Sequence, residues 1–366
     1  MGLNRRRFGA TALGGALALG GATACAGAPA PTATPPTAGG AGKKVGFVLS
    51  HEQLPTAGLA DLSAAAEQAG FSYLWASDHL QPWQDNQAHA SFPWITLGLV
   101  SQRTRHATFG TGVTCPTYRH HPSEVAQAFA TLAGLAPGRV FLGVGTGEAL
   151  NERAGTGLFG PYPERRDRLV EAVSLIRQLW SGQRVSFQGR YFRTDQLKLY
   201  DLPSQAPPIY VAAGGPQSAA LAGRYGDGWI TTGGRVDADL RATFQQAAQD
   251  AGKDPTAMPI LAESFVTVGE GPDVDDAARQ WRFLAAPGSA HLLQQSNPET
   301  IQRVAQQAPL PSVTASWVRG ADPRPHIDAA RRLLDSGATP FIHAPENDAH
   351  RVIDFYGQRV LPELGT

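Results

Sequence analysis

The residues best suited to acid–base chemistry follow two predicted strands. His79 comes three residues after the end of one apolar run, and Glu148 comes after another that leads into the alternating glycines Gly143, Gly145 and Gly147. A histidine and a carboxylate at one site can serve as general base and general acid. The glycines leave the backbone open to close approach by a ligand. The dinucleotide fingerprint G-x-G-x-x-G is not met, because Glu148 stands where the third glycine would be.

These residues need a scaffold that brings strand ends together, and the chain alternates strand-like and helix-like stretches. Apolar runs predict eight strands, at 44–50, 71–76, 107–113, 140–144, 209–212, 228–231, 261–268 and 340–344. Helical patterns fall between them, most clearly at 59–69, 122–136 and 164–180. This alternation predicts a (β/α)8 TIM barrel rather than a doubly wound sheet. Two stretches interrupt it: residues 184–200, a predicted hairpin, and residues 270–322, predicted to be an irregular insertion near the active face.

In such a barrel, the residues that follow each strand meet at one face, which gathers the candidate site residues. They are Glu52, Asp78, His79, Trp83, Gly112, Val113, Glu148, Asn151, the stretches 212–215 and 232–235, and His343. Each also has a structural interpretation: Asp78 could cap a turn, His79 could be a hydrogen-bonded rim histidine, and Trp83 could be a packing residue. Gly214-Gly215-Pro216 could be a plain strand-to-helix turn or could present helix amides to a phosphate. Together, histidines and acids at one rim suit a general acid and base beside a cofactor.

The first 42 residues are expected to lie outside the barrel. Residues 1–25 carry Arg5-Arg6-Arg7 and Phe8 before a weakly apolar Ala/Gly/Leu run, which is typical of a twin-arginine export signal. Ala22-Thr23-Ala24-Cys25 resembles a lipoprotein cleavage box, so the alternatives are membrane attachment through a lipidated Cys25 or plain cleavage. Residues 26–42, rich in Pro, Thr, Ala and Gly, predict a disordered linker. Residues 43–366 are expected to form a single catalytic barrel domain.

The composition of the chain argues against nucleic-acid binding, a metal site and a disulfide framework. The chain has 31 basic and 31 acidic residues, and the leader holds three of the arginines and no acid. The basic stripe that would predict nucleic-acid binding is missing from the sequence. No metal site is predicted, because His120 and His121 adjoin and would point apart in a strand. With two cysteines, no disulfide framework is expected, so stability must come from a hydrophobic core.

Several segments match a known family. They are 46–53 (GFVLSHEQ), 76–79 (ASDH), 116–119 (PTYR), 140–152 (VFLGVGTGEALNE) and 212–216 (AAGGP). From about residue 45 to residue 364, the chain closely resembles the coenzyme F420-dependent glucose-6-phosphate dehydrogenases, which belong to the bacterial-luciferase-like barrels. The resemblance implies a TIM barrel that binds the deazaflavin coenzyme F420 and transfers hydride to it.

The resemblance also implies roles for individual residues. His79 would take the proton of the substrate hydroxyl, Glu148 would protonate the reduced deazaflavin, and Trp83 would brace the substrate. The positions that match the family's cofactor site are Asp78, Gly112, Val113, Cys115, Gly147, Asn151, Ala212, Ala213 and Gly214. Gly112 and Val113 match a cis peptide bond in the family, and Cys115 stands where the family has a threonine.

The substrate side departs from the sugar-phosphate pattern. Thr232 is retained, Arg235 replaces a lysine, and the family's Lys-Arg pair reads Ala315-Ser316 here. Loss of that arginine removes charge-assisted hydrogen bonds to a phosphate, worth about 1.5–3 kcal/mol each. The pocket is therefore expected to take an uncharged, lipophilic alcohol. The resemblance, taken with the twin-arginine leader, implies a secondary alcohol, the hydroxyl of a hydroxymycolic acid, which would be oxidised to the ketone.

Two other functions stay open at this point. The same barrel could use FMN, as luciferase-like monooxygenases do, or the chain could be an exported lipoprotein that binds a ligand without turnover. The pairing of His79 with Glu148 argues against the second, since simple binding needs no acid and base. Members of the family are commonly dimers, so a homodimer is expected.

Overall fold

Eight parallel strands close into a barrel in the computed structural model, which describes residues 44–365. The predicted leader and linker at 1–42 lie outside the described residues. The strands are β1 (Gly46–Leu49), β2 (Tyr73–Ala76), β3 (Thr108–Thr111), β4 (Val140–Val144), β5 (Ile209–Ala212), β6 (Gly228–Thr231), β7 (Ile260–Thr267), β8 (Val318–Arg319) and β9 (Ala338–His343).

The barrel closes through parallel pairing alone. Strands β1 to β7 pair in chain order, and β9 lies between β7 and β1. The two-residue β8 pairs only with the last two residues of β7. The predicted (β/α)8 TIM barrel is therefore confirmed, with β9 as its eighth strand.

Large side chains fill the barrel interior. They are Val48, Trp75, Phe141, Tyr210, Ile230, Leu261 and Phe341. The rings of Trp75 and Phe341 stack at a centroid distance of 4.0 Å. Gly46 leaves room for the Phe341 ring, because a Cβ at residue 46 would come within 2.6 Å of it. The interior is thus a packed core, so the space for a ligand is expected at the end of the barrel rather than inside it.

Helices surround the strands and bury their apolar faces against them. They are α1 (Thr56–Ala69), α2 (Pro93–Arg103), α3 (Pro122–Leu135), α4 (Glu152–Thr156), α5 (Tyr162–Trp180), α6 (Pro216–Tyr225), α7 (Ala238–Asp250), α8 (Pro272–Gln280), α9 (Ser289–Leu292), α10 (Pro298–Ala305), α11 (Leu310–Val313), α12 (Pro323–Asp335), α13 (Ala349–Phe355) and α14 (Leu361–Leu364). Proline opens most of them, as suits its fixed φ. Within residues 44–365, no helix combines the length and the apolar character needed to cross a bilayer.

The two stretches that interrupt the alternation differ in structure. Residues 184–200 form the predicted hairpin, with antiparallel bridges between Val185 and Leu197 and between Gln188 and Arg193. The stretch 270–322 is more regular than predicted, since it contains α8 to α11 and β8. Its buried residues form one hydrophobic cluster with Trp83 and Leu150. The insertion therefore packs on the loops that follow β2 and β4.

His120 and His121 lie in the segment before α3 and not in a strand. His121 caps the start of α3, where its Nδ1 accepts a hydrogen bond from Ser123 N at 3.2 Å. The His120 ring packs on Trp94 at 4.6 Å. Among the residues that the structure describes, no group of three His, Cys, Asp or Glu side chains is arranged to hold a metal ion.

Candidate active site

A cavity of about 570 Å³ opens at the carboxyl ends of the barrel strands. Its polar lining comprises Glu52, Ser77, His79, Thr146, Glu148, Tyr162, Ser218, Thr231, Thr232, Glu263, Ser312, Ser316 and His343. Its aromatic lining comprises Trp75, Trp83, Phe265, Trp281, Phe283 and Trp317. An open groove of about 770 Å³ lies between α5, the hairpin and α6. That groove lies outside the ring of strand ends and is lined by no histidine, so the cavity at the strand ends is the candidate site.

Asn151 connects the predicted base to the predicted acid. Its Oδ1 accepts a hydrogen bond from Leu80 N at 2.8 Å, which fixes the orientation of the amide. Its Nδ2 then lies 3.2 Å from His79 Nδ1 and 3.3 Å from Glu148 Oε2. Because an amide nitrogen only donates, His79 Nδ1 accepts, and the neutral ring is assigned its proton at Nε2.

Glu52 supports His79 from the other side. Its Oε1 lies 3.4 Å from His79 Nε2, and its Oε2 accepts hydrogen bonds from Ser50 Oγ at 2.8 Å and Ser77 Oγ at 2.7 Å. Burial raises the pKa of the Glu52 carboxyl, but the charge of His79 and the two hydroxyls outweigh burial and hold that pKa below its ordinary value. An ionised Glu52 stabilises a protonated His79, which a general base becomes once it has taken a proton.

Asp78 lies behind the cavity wall rather than on it. Its carboxylate accepts hydrogen bonds from Arg119 Nη2 at 2.5 Å and Thr114 Oγ1 at 2.7 Å. Thr114 directly follows the Gly112–Val113 segment, so Asp78 positions that segment. Its direct contact with a cofactor stays a prediction.

The segment after β3 forms one side of the cavity. The peptide bond between Gly112 and Val113 is cis, as the resemblance predicted, and both residues line the cavity. Gly145, at the end of β4, packs beneath them, because a Cβ there would come within 2.7 Å of Val113 Cγ2. Ala212, Ala213 and Gly214, at the end of β5, line the cavity as well.

This wall of small residues fits a flat ring system. Apart from Gly214 itself and its two chain neighbours, no described residue has an atom within 4 Å of the position that a Cβ would take at Gly214, so the space beside this backbone is open to a ligand. Helix α6 begins directly afterwards with Gly215 as its N-cap, and Ser218 lines the cavity. Free amides in a first helical turn suit an anionic group such as a phosphate in the tail of a cofactor. The residues present therefore fit a deazaflavin such as F420.

Three predicted cofactor residues lie one layer behind the wall. Cys115 is buried, and burial raises the pKa of its thiol well above the ordinary value, so the thiol stays protonated. The Gly147 carbonyl accepts a hydrogen bond from Arg165 Nη1 at 2.7 Å, and its φ of 83° favours glycine. Asn151 is held by Leu80, His79 and Glu148, as described above. Contacts of these three residues with a cofactor stay predictions.

The substrate side of the cavity is acidic and apolar. Thr232 and Ser316 line it, whereas Arg235 lies off its wall. Within residues 44–365, no lysine or arginine lines the cavity, although three glutamates do: Glu52, Glu148 and Glu263. Trp83 stacks on Phe283 of the insertion, with centroids 4.7 Å apart. An anionic substrate would meet carboxylates here without a compensating cation.

Sequence reasoning missed the pair formed by Glu263 and His343. Glu263 Oε1 lies 2.8 Å from His343 Nδ1, and His343 Nε2 lies 3.1 Å from Gln53 Oε1. His343 was placed at the rim, but Glu263 lies inside β7 and was counted as part of an apolar strand. An acid within an apolar run was the available signal, since a buried charge needs a partner.

The fold and the site define the class of protein. A family model described as luciferase-like monooxygenase matches residues 40–338. This match covers most of the chain, and the chain belongs to the luciferase-like family.

Relatives with described activities are similar over almost the whole chain. The F420-dependent hydroxymycolic acid dehydrogenase of Mycobacterium tuberculosis is 56% identical over 365 residues, which cover 99% of both chains. The F420-dependent glucose-6-phosphate dehydrogenase of Nakamurella multipartita is 41% identical over 331 residues, covering 88% of this chain and 96% of the relative. The solved structure of an F420-dependent secondary alcohol dehydrogenase in complex with an F420–acetone adduct matches with a TM-score of 0.81 and 30% identity, covering 88% of this chain and 99% of that one.

Proposed function

We propose that this protein is an F420-dependent dehydrogenase that oxidises a lipophilic secondary alcohol to a ketone, with hydroxymycolic acid as the substrate and ketomycolic acid as the product. One observation carries the proposal. His79 and Glu148 line the cavity and are joined by hydrogen bonds to Asn151 behind its wall. The opposite wall is aromatic, and no lysine or arginine among residues 44–365 lines the cavity. The 56% identity to a hydroxymycolic acid dehydrogenase supports the choice of substrate.

The chain's own residues supply the proton chemistry. His79 takes the proton of the substrate hydroxyl at Nδ1, where the hydroxyl replaces the Asn151 amide as hydrogen-bond partner, and Glu52, which faces Nε2, stabilises the imidazolium that results. Glu148, whose Oε2 accepts a hydrogen bond from the same Asn151 Nδ2, serves as the acid. The coenzyme, held by residues 112–113 and 212–214, supplies a ring that accepts hydride when bound. Trp83 covers the substrate and excludes water.

The cavity also supports an uncharged substrate over a phosphate. Glu52, Glu148 and Glu263 all line it, and Ser316 stands where the sugar-phosphate enzymes are expected to have an arginine. A dianionic group would lose its hydration without gaining a charge-assisted hydrogen bond. A lipophilic alcohol meets instead the rings of Trp83, Trp281 and Phe283.

The site of action and the assembly belong to the same proposal. The Arg5-Arg6-Arg7-Phe8 leader supports export through the twin-arginine pathway to the cell envelope, with Cys25 as the point of lipid attachment. An exposed apolar stripe on α2, formed by Phe92, Ile95 and Leu99, supports a homodimer.

The first test is Glu148→Gln. We expect this variant to bind F420 almost as tightly as the wild type while its turnover of a secondary alcohol falls about 10²-fold or more, because the amide cannot supply a proton. Fluorescence titration measures the binding, and the change in F420 absorbance measures turnover. Wild-type turnover in this variant would refute the role of Glu148.

A second experiment separates the alternatives. Purified protein is titrated in parallel with F420 and with FMN, and is then incubated with oxidised F420 and extracted envelope lipids. We expect tight binding of F420 alone and a new carbonyl on a hydroxylated lipid, detected by mass spectrometry. Preference for FMN would favour a monooxygenase, and lipid binding without F420 reduction would favour a non-catalytic lipoprotein.

A further inference from the structure

Four leucines with exposed side chains lie on the segments that follow β2 and β4 and on the insertion, and α4, which precedes Leu158, packs on Leu80 through Gly155. Leu80 is 44% exposed, Leu158 58%, Leu284 43% and Leu293 45%. Leu284 also lines the cavity, Leu80 directly follows His79, and the Leu293 carbonyl accepts a hydrogen bond from Ala149 N beside Glu148. We call these four side chains the leucine rim. Grouped apolar side chains on a surface mark a place where an apolar partner binds.

The leucine rim is a fixed surface rather than a set of independent loops. Gln81 Nε2 donates to Leu150 O at 2.8 Å and to Ser296 O at 2.6 Å. Arg153 Nη1 donates to Gln294 O at 2.9 Å. These bonds join the loop after β2, the segment after β4 and the insertion. The four leucines are therefore presented together.

The charge around the leucine rim is one-sided. The segments 80–82, 153–158 and 284–296 contain no Asp or Glu, although the whole chain has as many acids as bases. Their basic residues are Arg153 and His291, both exposed. A surface with exposed leucines, a cationic group and no acidic residue suits binding to an anionic bilayer. Leucine side chains can insert at the boundary between headgroups and acyl chains, and arginine can bind the anionic headgroups.

We propose that the leucine rim docks on the surface of a lipid bilayer, so that the alcohol passes from the lipid into the cavity along Leu284 without crossing water. This inference rests on the proposed function, because it assumes a lipophilic substrate. A second copy of the chain would also cover these leucines. It would, however, close the entrance through which the alcohol must pass, so the bilayer is the occupant that the structure favours.

Vesicle binding tests the docking directly. The full chain is used with Cys25→Ala, so that no acyl group at residue 25 contributes, and binding is measured by co-sedimentation with vesicles of equal parts phosphatidylglycerol and phosphatidylcholine. We expect the double variant Leu158→Gln/Leu293→Gln to bind about tenfold more weakly, because two apolar side chains no longer enter the lipid. Leu135→Gln is the matched control, since Leu135 is 52% exposed at the far end of α3. Arg153→Gln should weaken binding to these vesicles but not to pure phosphatidylcholine.

Turnover separates docking from the dehydrogenase activity. We expect Leu158→Gln/Leu293→Gln to oxidise a short, water-soluble secondary alcohol at the wild-type rate but a vesicle-embedded long-chain alcohol several-fold more slowly. Equal vesicle binding by this variant and by Leu135→Gln overturns the proposal. A smaller sedimenting mass for the double variant with unchanged vesicle binding also overturns it, since a second copy would then cover the leucines. If the double variant loses vesicle binding but the wild type oxidises neither alcohol, the docking is supported and the proposed dehydrogenase activity is refuted.

Discussion

At the scale of single residues, Asn151 determines how the base and the acid are held. Its Oδ1 accepts a hydrogen bond from Leu80 N, and its Nδ2 donates toward both His79 and Glu148. One side chain therefore sets the tautomer of His79 and the orientation of the Glu148 carboxylate. We expect Asn151→Ala to lower kcat about 10- to 100-fold with little change in KM, because orientation is lost while the binding surface is kept. The pH profile of kcat should also shift, since the hydrogen bonds around His79 change.

Steady-state kinetics between pH 5 and pH 9 measure both effects. Asn347→Ala is a suitable control, because Asn347 is an exposed asparagine whose amide bonds only Gln280 in the described contacts. A fall in kcat without any change in its pH profile would show that Asn151 supports the structure of the site but does not set the hydrogen bonding of His79.

Glu152, directly behind the site, is expected to make stability depend on pH. Burial raises the pKa of its carboxyl from 4.5 to about 7, against the opposing effect of Arg119. Its Oε2 accepts hydrogen bonds from the Tyr118 and Arg119 amides, whereas Oε1 has no partner among the described residues. The folded state therefore holds this proton more tightly than the unfolded state. The free energy of unfolding should then fall as pH rises from 4.5 through 7, by roughly 3 kcal/mol.

Comparison with Glu152→Gln isolates that contribution. Glutamine keeps an oxygen for the two amides but has no charge to bury, so we expect its unfolding free energy to decline less than that of the wild type between pH 5 and pH 8. Urea unfolding at pH 5, 6, 7 and 8 gives the difference. His51 and His120, whose pKa values burial lowers to about 4, titrate alike in both proteins and cancel. Parallel curves would show that Glu152 stays ionised throughout.

At the scale of elements, residues that end strands explain which predicted bounds were correct. The predicted bounds of β4, β5 and β6 agree with the structure, because glycine, proline or aspartate flanks each short apolar run. Strand β3 ends at Thr111, two residues before its predicted end. The chain leaves the sheet there at the cis bond between Gly112 and Val113. That bond was predicted from the resemblance to a family, not from the apolar pattern.

Contacts between distant segments explain what the sequence did not reveal. Glu263 and His343 are 80 residues apart, and they meet because β7 and β9 are neighbours in the barrel. The helices α8 to α11 are short, and they are held by packing on Trp83 and Leu150. Periodicity within a short window reports neither kind of contact. The strand ends, and with them His79 and Glu148, were placed correctly because they depend on the alternation alone.

The insertion is expected to couple stability to substrate binding through Phe283. This ring stacks on Trp83 and lines the cavity, so it joins the insertion to the loop after β2. Phe283→Ala should lower the free energy of unfolding by about 3–5 kcal/mol, as truncation of a buried aromatic residue does. It should also raise KM for a lipophilic alcohol more than it lowers kcat, because Trp83 loses its support. Calorimetry and steady-state kinetics measure these effects, and Leu135→Ala, at an exposed leucine of α3 outside the cavity, controls for truncation of a large apolar side chain.

At the scale of the whole molecule, α2 presents the surface expected to join two copies of the chain. Phe92 is 42% exposed, Ile95 63% and Leu99 41%, at a spacing that puts the three on one side of the helix. The ring of Trp94 packs on Phe92 at a centroid distance of 4.9 Å, and its Nε1 donates to Thr114 Oγ1 at 3.3 Å. One face of α2 thus packs against the segment beside the site, and its apolar face is exposed to solvent. A symmetric dimer needs such a self-complementary patch.

Ile95→Asp is expected to dissociate that dimer. A carboxylate at the centre of the apolar stripe would be buried beside its own symmetry mate, and loss of hydration with repulsion between like charges should raise the dimer dissociation constant about 100-fold or more. Sedimentation velocity over a range of protein concentrations measures the change. Leu135→Asp, on α3, introduces the same charge at a similarly exposed leucine and should leave the dimer intact. If Ile95→Asp sediments like the wild type, the two copies associate through another surface or the chain is a monomer, and the exposed face of α2 must then be explained by a different partner.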